Sequence, residues 1–355
     1  MESWRLIQET ERLRTTWEGL SVDDTLPLAI ERFGSPPILH LYKFVPSAIV
    51  GRYQDIYAAL KIERCKGLNI EINRRSTGGG TVIMGPEVLA LGFGINVDHP
   101  RINSGSVEAI FRSVSRALIE GLKPFGIAAE FRPKNDIEVK GKKIAGLSAA
   151  MEGKKALLFH TSLLVSFDMG IFTEIMNTPL IKLQDKGYSC FSERLTTVSA
   201  ESGRRVEVEE VMDAILKGFE ETFSVSLSHS SLSEEERSIA SRLEKERYKN
   251  PDWIFSHRHP RARMGIGRIK ATGGLLEIYL SLLGAVIENI YITGDFFTIT
   301  EDLNMLESSL KYVRCEENKV RDAIISVWKP NLIYGITPED LTKAIIMAKE
   351  NQLRL

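Results

Sequence analysis

The rhythm of apolar positions changes several times along this chain, and each change predicts an element. In "VEAIFRSVSRALIEGL", Val107, Ile110, Phe111, Val114, Ala117 and Leu118 fall at i, i+3, i+4, i+7, i+10 and i+11. That spacing is one face of a helix, with Ser106 as its N-cap and Glu108 in the first turn. "PPILHLYKF" and "SAIVGRY" are short, apolar and β-branched, and predict strands. Toward the C-terminus, "LLEIYLSLLGAVIENIYITGDFF" predicts a hairpin turning near Gly284, with two helices after it. The last helix is marked by Thr337-Pro338-Glu339-Asp340, which resembles a capping box with proline at N1. Leu341, Ala344, Ile345 and Ala348 then share one face. Both halves of the chain therefore mix α and β.

A chain of 355 residues exceeds the usual reach of one hydrophobic core. The boundary is read from "SVSLSHSSLSEEERSIASRLEKERYKNPDW", where a Ser-rich run passes into charge and then Asn250-Pro251, so a junction is expected near residues 228–252. This gives a catalytic-sized domain of residues 1–240 and a smaller one of residues 250–355. The charged part carries Ile239, Leu243 and little else apolar, and reads as a solvated connecting helix.

Composition narrows the classes further. With 43% apolar and 26% charged residues, the chain is ordinary for a globular protein. A net charge of −1 removes the broad positive field expected of a protein whose main partner is nucleic acid. Cys65, Cys190 and Cys315 are odd in number, far apart and without metal-ligand spacing, which suits reduced thiols in a cytoplasmic protein. The N-terminus has no apolar signal region and no window approaches a membrane span, so neither secretion nor membrane insertion is expected.

Candidate chemistry concentrates in two loops. In "EINRRSTGGGTVIMG", three glycines follow Arg74 and Arg75 and lie between runs with strand propensity. They form a loop inside a sheet rather than a linker. An interior glycine costs roughly 0.5–1 kcal/mol relative to alanine, so three in a row need a reason. One is a β-bulge with two surface arginines. The other is a nest, in which amides without neighbouring Cβ atoms converge on phosphate or carboxylate oxygens and arginine adds bidentate charge. No Gly-Lys-Ser/Thr follows, which excludes a Walker A loop. In "KNDIEVKGKKIAGLSAA", Gly141 permits a tight turn and Ile144 begins a return strand. Lys143 opens that arm, and Ala145, Gly146, Ser148 and Ala149 leave room above the sheet for a ligand. Taken alone, such a lysine also fits a solubilising surface charge.

"RRSTGGGTV", "KNDIEVKGKKIAG" and "FHTSLLVSFD" occur in the order and rough spacing of the lipoate-protein ligase family, which this chain resembles over nearly its whole length. "LQDKGYSCFSERLTTVSA" looks like a further Lys-Gly…Ser…Arg segment of that family, and the portion from "NPDWIF" onward is similar to its accessory domain. The resemblance implies an α+β catalytic domain of the biotin/lipoate ligase type, related to class II aminoacyl-tRNA synthetases, plus a small mixed α/β C-terminal domain. It implies an ATP-dependent enzyme that converts lipoate or octanoate to acyl-AMP with pyrophosphate release, then passes the acyl group to a carrier lysine. ATP and Mg²⁺ are the implied cofactors.

By the same resemblance, Arg75, Gly78, Gly79, Gly80 and Thr81 embrace the acyl chain and the adenylate phosphate, with Arg74 beside them. Lys143 is the catalytic residue that touches the acyl carbonyl and α-phosphate. Asn135 and Asp136 match a pair near the nucleotide, and His160 matches a substrate-side histidine, although a histidine in so apolar a run also suits a hydrogen-bonded core position. Implied partners are lipoyl domains of 2-oxoacid dehydrogenase acyltransferases and glycine-cleavage H protein-like carriers, with no nucleic acid and no membrane. His257, Arg258, His259, Arg261, Arg263 and Arg268 form a basic cluster suited to an acidic carrier surface or to a solvated turn.

The pattern departs at Met84-Gly85-Pro86-Glu87, where many ligases carry an acidic Gly-Asn turn. The runner-up is an octanoyl or lipoyl transferase acting between carriers without ATP, through a cysteine thioester for which Cys190 is the one available thiol. A non-catalytic regulatory protein on the same scaffold is the third reading, and the absence of a helix-turn-helix pattern and of basic charge speaks against it.

Overall fold

A computed structural model describes residues 1–102, 107–132, 135–152, 154–168, 170–177, 194–256, 264–298 and 303–352. Ser106, Cys190 and the 257–263 part of the basic cluster lie outside the described residues. The N-terminal part contributes β1 (Glu2–Arg14), β2 (Ile38–Phe44), β3 (Ser47–Val50), β4 (Glu71–Arg74), β5 (Val82–Met84) and β6 (Val88–Asn96). It continues with β7 (Glu130–Arg132), β8 (Asp136–Val139), β9 (Lys142–Glu152), β10 (Ala156–Leu164) and β11 (Val225–His229). Eight of these form a mixed sheet in the order β11-β1-β2-β6-β10-β9-β8-β7, and β4-β3-β5 form a small second sheet.

Helices α1 (Thr16–Phe33), α2 (Val107–Leu122) and α3 (Val208–Phe223) cover the large sheet. Successive strand side chains point to opposite faces, and the two faces differ in kind. Leu39, Leu41, Leu89, Phe93 and Phe159 join Phe111, Val114 and Phe219 of α2 and α3 in one continuous core. The opposite face meets α1 and carries His40, Tyr42 and His160, whose polar atoms are met by α1 side chains. Gly92 allows α1 to approach: a Cβ there would come within 2.0 Å of Asp23 Oδ1.

The junction is packed rather than solvated. In α4 (Glu234–Leu243), capped by Ser233, Ile239 and Leu243 meet Leu28 of α1. Beyond it, Tyr248 is fully buried and its hydroxyl donates to Asp24 of α1. Charge on the outer face had masked a narrow apolar stripe that needs only one helical neighbour.

The C-terminal part is an antiparallel sheet of β12 (Gly265–Ala271), β13 (Gly274–Leu283) and β14 (Val286–Gly294), turning at Gly284 with φ +63°. Among the described residues three helices follow, not the expected two: α5 (Leu303–Leu310), α6 (Glu317–Val327) and α7 (Pro338–Gln352). The capping box is present, with Thr337 N–H donating to Asp340 Oδ2 at 3.0 Å and Asp340 N–H to Thr337 Oγ1 at 3.1 Å. Among the described residues, no helix is long and apolar enough to cross a membrane.

Candidate active site

The α1 face of the large sheet borders a cavity of about 380 Å³. Strand register explains where it lies. His40, Gly92, His160 and Ser148 stand opposite one another across β2, β6, β10 and β9, and Tyr42, Ala90, Ser162 and Gly146 form the next row. The small side chains of the second row leave space above the sheet, which Leu20, Phe44, Ile49 and Met84 wall with apolar surface. Met84 of the departing Met-Gly-Pro-Glu turn is thus part of the wall. Of the four small residues expected to leave room, Gly146 and Ser148 line the cavity, while Ala145 and Ala149 point into the opposite core. Arg75, Arg132, Lys143, Arg194 and Lys270 also line it.

The two adjacent arginines divide the work. Arg74 is 0% exposed and does not line the cavity. Its guanidinium donates to the carbonyls of Gly51, Arg52 and Gln54 on one side and of Trp253, Ile254 and Ser256 on the other. It therefore clamps the end of the junction onto the catalytic half, a position different from the substrate-side one expected for it. Arg75 lines the cavity and holds the glycine loop, donating to Thr77 Oγ1 at 3.1 Å, Gly78 O at 2.6 Å and Gly80 O at 2.8 Å. Burial pulls Arg74 down to about 9, helped by the charge of Arg52, and pulls Arg75 down to about 10. Both remain cations at neutral pH.

The glycines serve a close approach, but the approaching group is the protein itself. Gly79 has φ +94°, and its N–H donates to Phe296 O at 3.0 Å. A Cβ on Gly78 would meet that same carbonyl at 2.6 Å, and one on Gly79 would meet the Phe297 ring at 2.9 Å. Gly80 faces Asp295 at ordinary contact distance. The segment following β14 thus lies on the loop, and Gly274, Asp295 and Phe297 complete the cavity wall. Thr81 also lines the cavity, its hydroxyl donating to Gln54 Oε1 at 3.0 Å.

The lysine hairpin forms as the turn residues dictate. Val139 pairs with Lys142, leaving Lys140 and Gly141 as a two-residue turn with φ of +50° and +78°, the signs a type I′ turn requires. Lys143 Nζ lies 2.8 Å from Asp136 Oδ1 and sits over Gly146, where a Cβ would come within 2.5 Å of it. Asn135 lines the same wall, its side chain donating to Leu147 O at 2.7 Å. Lys143, Arg75 and Gly80 therefore share one cavity, as do Asn135, Asp136, Thr81 and His160. Arg268 of the basic cluster is on β12 and pairs with Glu277 at 2.8 Å.

Beneath the cavity lies a polar network that sequence reasoning missed. The fully buried Asp23 carboxylate accepts from His40 Nδ1 at 2.8 Å and from Tyr42 Oη at 2.7 Å. His160 Nδ1 lies 2.9 Å from Thr77 Oγ1, which also contacts Ser148 Oγ at 2.8 Å. His160 Nε2 lies 3.3 Å from Asp23 Oδ2, close enough for charge pairing with that carboxylate. Burial alone would raise the Asp23 carboxyl; the His160 and His40 imidazoles outweigh it and hold it down at about 2. For His40, burial works toward the neutral form, and Asp23 and Glu9 reverse it and raise its pKa. Burial and the Asp23 charge push the Tyr42 phenol well above its usual value, so it stays a donor. The signal for this network was Gly92-Phe93-Gly94 inside an otherwise apolar strand, since strand glycine marks close approach.

Comparison with known proteins identifies the family. A family model for the lipoyl protein ligase A/B catalytic domain matches residues 15–220, and one for the bacterial lipoate protein ligase C-terminus matches residues 267–345. The chain belongs to the lipoyl protein ligase A/B family, with its lipoate ligase fold, and is an enzyme of the lipoate ligase and octanoyltransferase group. Octanoyltransferase LipM of Brevibacillus brevis is 26% identical over 277 residues, 71% of this chain and 99% of that protein. Lipoate-protein ligase LplJ of Bacillus subtilis is 25% identical over 330 residues, 91% of this chain and 97% of that protein. A solved structure of a bi-partite lipoate protein ligase and its E2 lipoyl domain from Thermoplasma acidophilum superposes with a TM-score of 0.63 at 26% identity, covering 74% of this chain and 99% of that one.

Proposed function

We propose that this protein is an ATP-dependent lipoate-protein ligase that activates lipoate or octanoate and transfers the acyl group to a lysine of a lipoyl-domain or H protein-like carrier. The observation that carries this reading is the composition of the cavity. Among the described residues, five cationic side chains line it: Arg75, Arg132, Lys143, Arg194 and Lys270. A polyphosphate needs such charge. Relatives add weight: the LplJ match runs into the C-terminal part, whereas LipM is matched over 99% of its own length by 71% of this chain.

Mg-ATP, when bound, supplies an α-phosphate that the acyl carboxylate attacks, with pyrophosphate as the leaving group. The residues of the chain act around that event. Lys143 places a compact ammonium where two anions must meet, and can follow the oxygen that becomes the leaving group when the carrier lysine attacks the acyl carbonyl. Asp136 holds that ammonium, and Arg75 keeps the glycine loop in shape from behind. Asn135, Thr81 and the remaining cations order the polar side, while Leu20, Phe44, Ile49 and Met84 receive the apolar chain and keep water out. For the Gly79 N–H to bind a phosphate oxygen, the Phe296 carbonyl must withdraw.

The test is pyrophosphate release from Mg-ATP with free lipoate or octanoate, before and after an apo carrier is added. Release without a carrier is expected. Acyl transfer between carriers without nucleotide, abolished in Cys190→Ser, would instead establish the transferase, the reading favoured by the LipM relatives.

A further inference from the structure

We infer that Asp24 is a positioning residue of the glycine loop, through which the junction segment ahead of the C-terminal part sets the geometry of Arg75 and Gly78 to Gly80. Its consequence for turnover rests on the ligase reading above. Two observations meet at this carboxylate.

The first is a buried anion that joins three segments. Asp24 is 1% exposed on α1, and the cavity is lined by its neighbour Asp23 instead. Asp24 Oδ1 accepts from Ser76 Oγ at 2.5 Å, while Oδ2 accepts from Arg247 Nη1 at 2.9 Å and from the Tyr248 hydroxyl. Ser76 stands between Arg75 and Thr77, and Arg75 holds the carbonyls of Gly78 and Gly80. The Ser76 hydrogen bond therefore pins the start of the loop from outside the cavity. Three successive glycines carry the greatest backbone freedom a chain can have, so the shape of the loop must be imposed at its flanks.

The second is the irregular backbone of the junction. Helix α4 widens into a π turn over Glu244–Tyr248, a rare form frequent at functional sites, and this turn carries both junction donors to Asp24. The residues around it grip the strand that feeds the loop. Asn73 Nδ2 donates to Tyr248 O at 2.9 Å, and Trp253 Nε1 donates to Arg74 O at 2.9 Å. The Arg247 guanidinium lies 5.2 Å from the centre of the Trp253 ring, which ties the two grips together. Asn73, Arg74 and Ser76 are thus held by α1 and the junction, and Arg75 is left to face the cavity.

Ser76→Ala removes the link to the loop, and Arg247→Gln removes the link to the junction at a side chain that is 24% exposed. In pyrophosphate release by the full-length protein, each is expected to raise the KM for Mg-ATP about tenfold, since small displacements of a positioning group are costly. A simple loss of folded protein would lower kcat alone. Because both act through Asp24, the double variant should be no worse than the more affected single one. Ser76→Thr, which keeps the hydroxyl, should restore the KM. Amide exchange at Gly79 should accelerate in both single variants, a readout that needs no turnover. An unchanged KM, additive losses in the double variant, or unchanged exchange at Gly79 would overturn the inference. If the unaltered protein releases no pyrophosphate, the ligase reading falls by itself, and exchange at Gly79 then decides the brace: faster exchange supports it and unchanged exchange overturns it.

Discussion

At the residue scale, the site depends on where single charges are held. Among the described residues the Lys143 side chain pairs with Asp136 and lines the cavity wall, while its bonds to the 195–196 segment are made by the backbone, so loss of the side chain should damage chemistry and not folding. Lys143→Ala is expected to lower turnover by roughly 10²–10³-fold with an unchanged thermal midpoint; near-normal pyrophosphate release in that variant would refute the catalytic assignment. His40 provides a second expectation. Its folded-state pKa is raised by Asp23 and Glu9, so its stabilising contribution is fully present below its ordinary value of about 6.5 and is lost as pH rises through the folded value. Asp23, held at about 2, stays ionised throughout that window. Thermal midpoints measured upward from pH 6 should therefore fall more steeply for the native protein than for His40→Gln, and parallel curves would show that the pair is not coupled.

At the element scale, a glycine in a strand and an acid on a helix form one device. Gly92 leaves the hollow that the Asp23 carboxylate fills between two imidazoles. Gly92→Ala places a Cβ within 2.0 Å of Oδ1, and the resulting overpacking should cost roughly 1–3 kcal/mol in denaturant unfolding. An unaltered unfolding midpoint would mean that α1 yields there without strain. The hairpin that carries Lys143 was legible from the chain because a two-residue turn is decided by its own residues, Lys140 and Gly141. The Asp23 network was not, because it joins α1 to β2 and β10 and no local spacing relates them. The solvated helix expected near residues 234–243 erred for a related reason: exposure was judged from charge density, while Ile239 and Leu243 needed only Leu28 to become buried.

At the scale of the whole molecule, the C-terminal part belongs to the site. It supplies Lys270, Glu277, Asp295 and Phe297 to the cavity wall, stacks Phe296 on Tyr53 at 5.4 Å, and sets Phe297 edge-on to Phe111 at 5.9 Å. Phe297→Ala should weaken this contact by roughly 1.5–3 kcal/mol and accelerate amide exchange at Gly79, whose N–H is paired with Phe296 O. Unchanged protection at Gly79 would show that the contact holds without the ring.

The chain by itself determined its turns, its helix faces and the motifs that carry the family resemblance, because those depend on backbone sterics and side-chain spacing among near neighbours. It placed Lys143, Gly80, Thr81, Asn135 and Asp136 as candidates, and they line one cavity. Only the folded arrangement separated Arg75, which braces the loop, from Arg74, which clamps the junction, since adjacent residues in an extended chain point opposite ways and distant segments decide what each side meets. The same holds for the glycine run and the buried Asp23: their roles are set by Phe296, His40 and His160, groups far along the chain that only tertiary packing brings within reach.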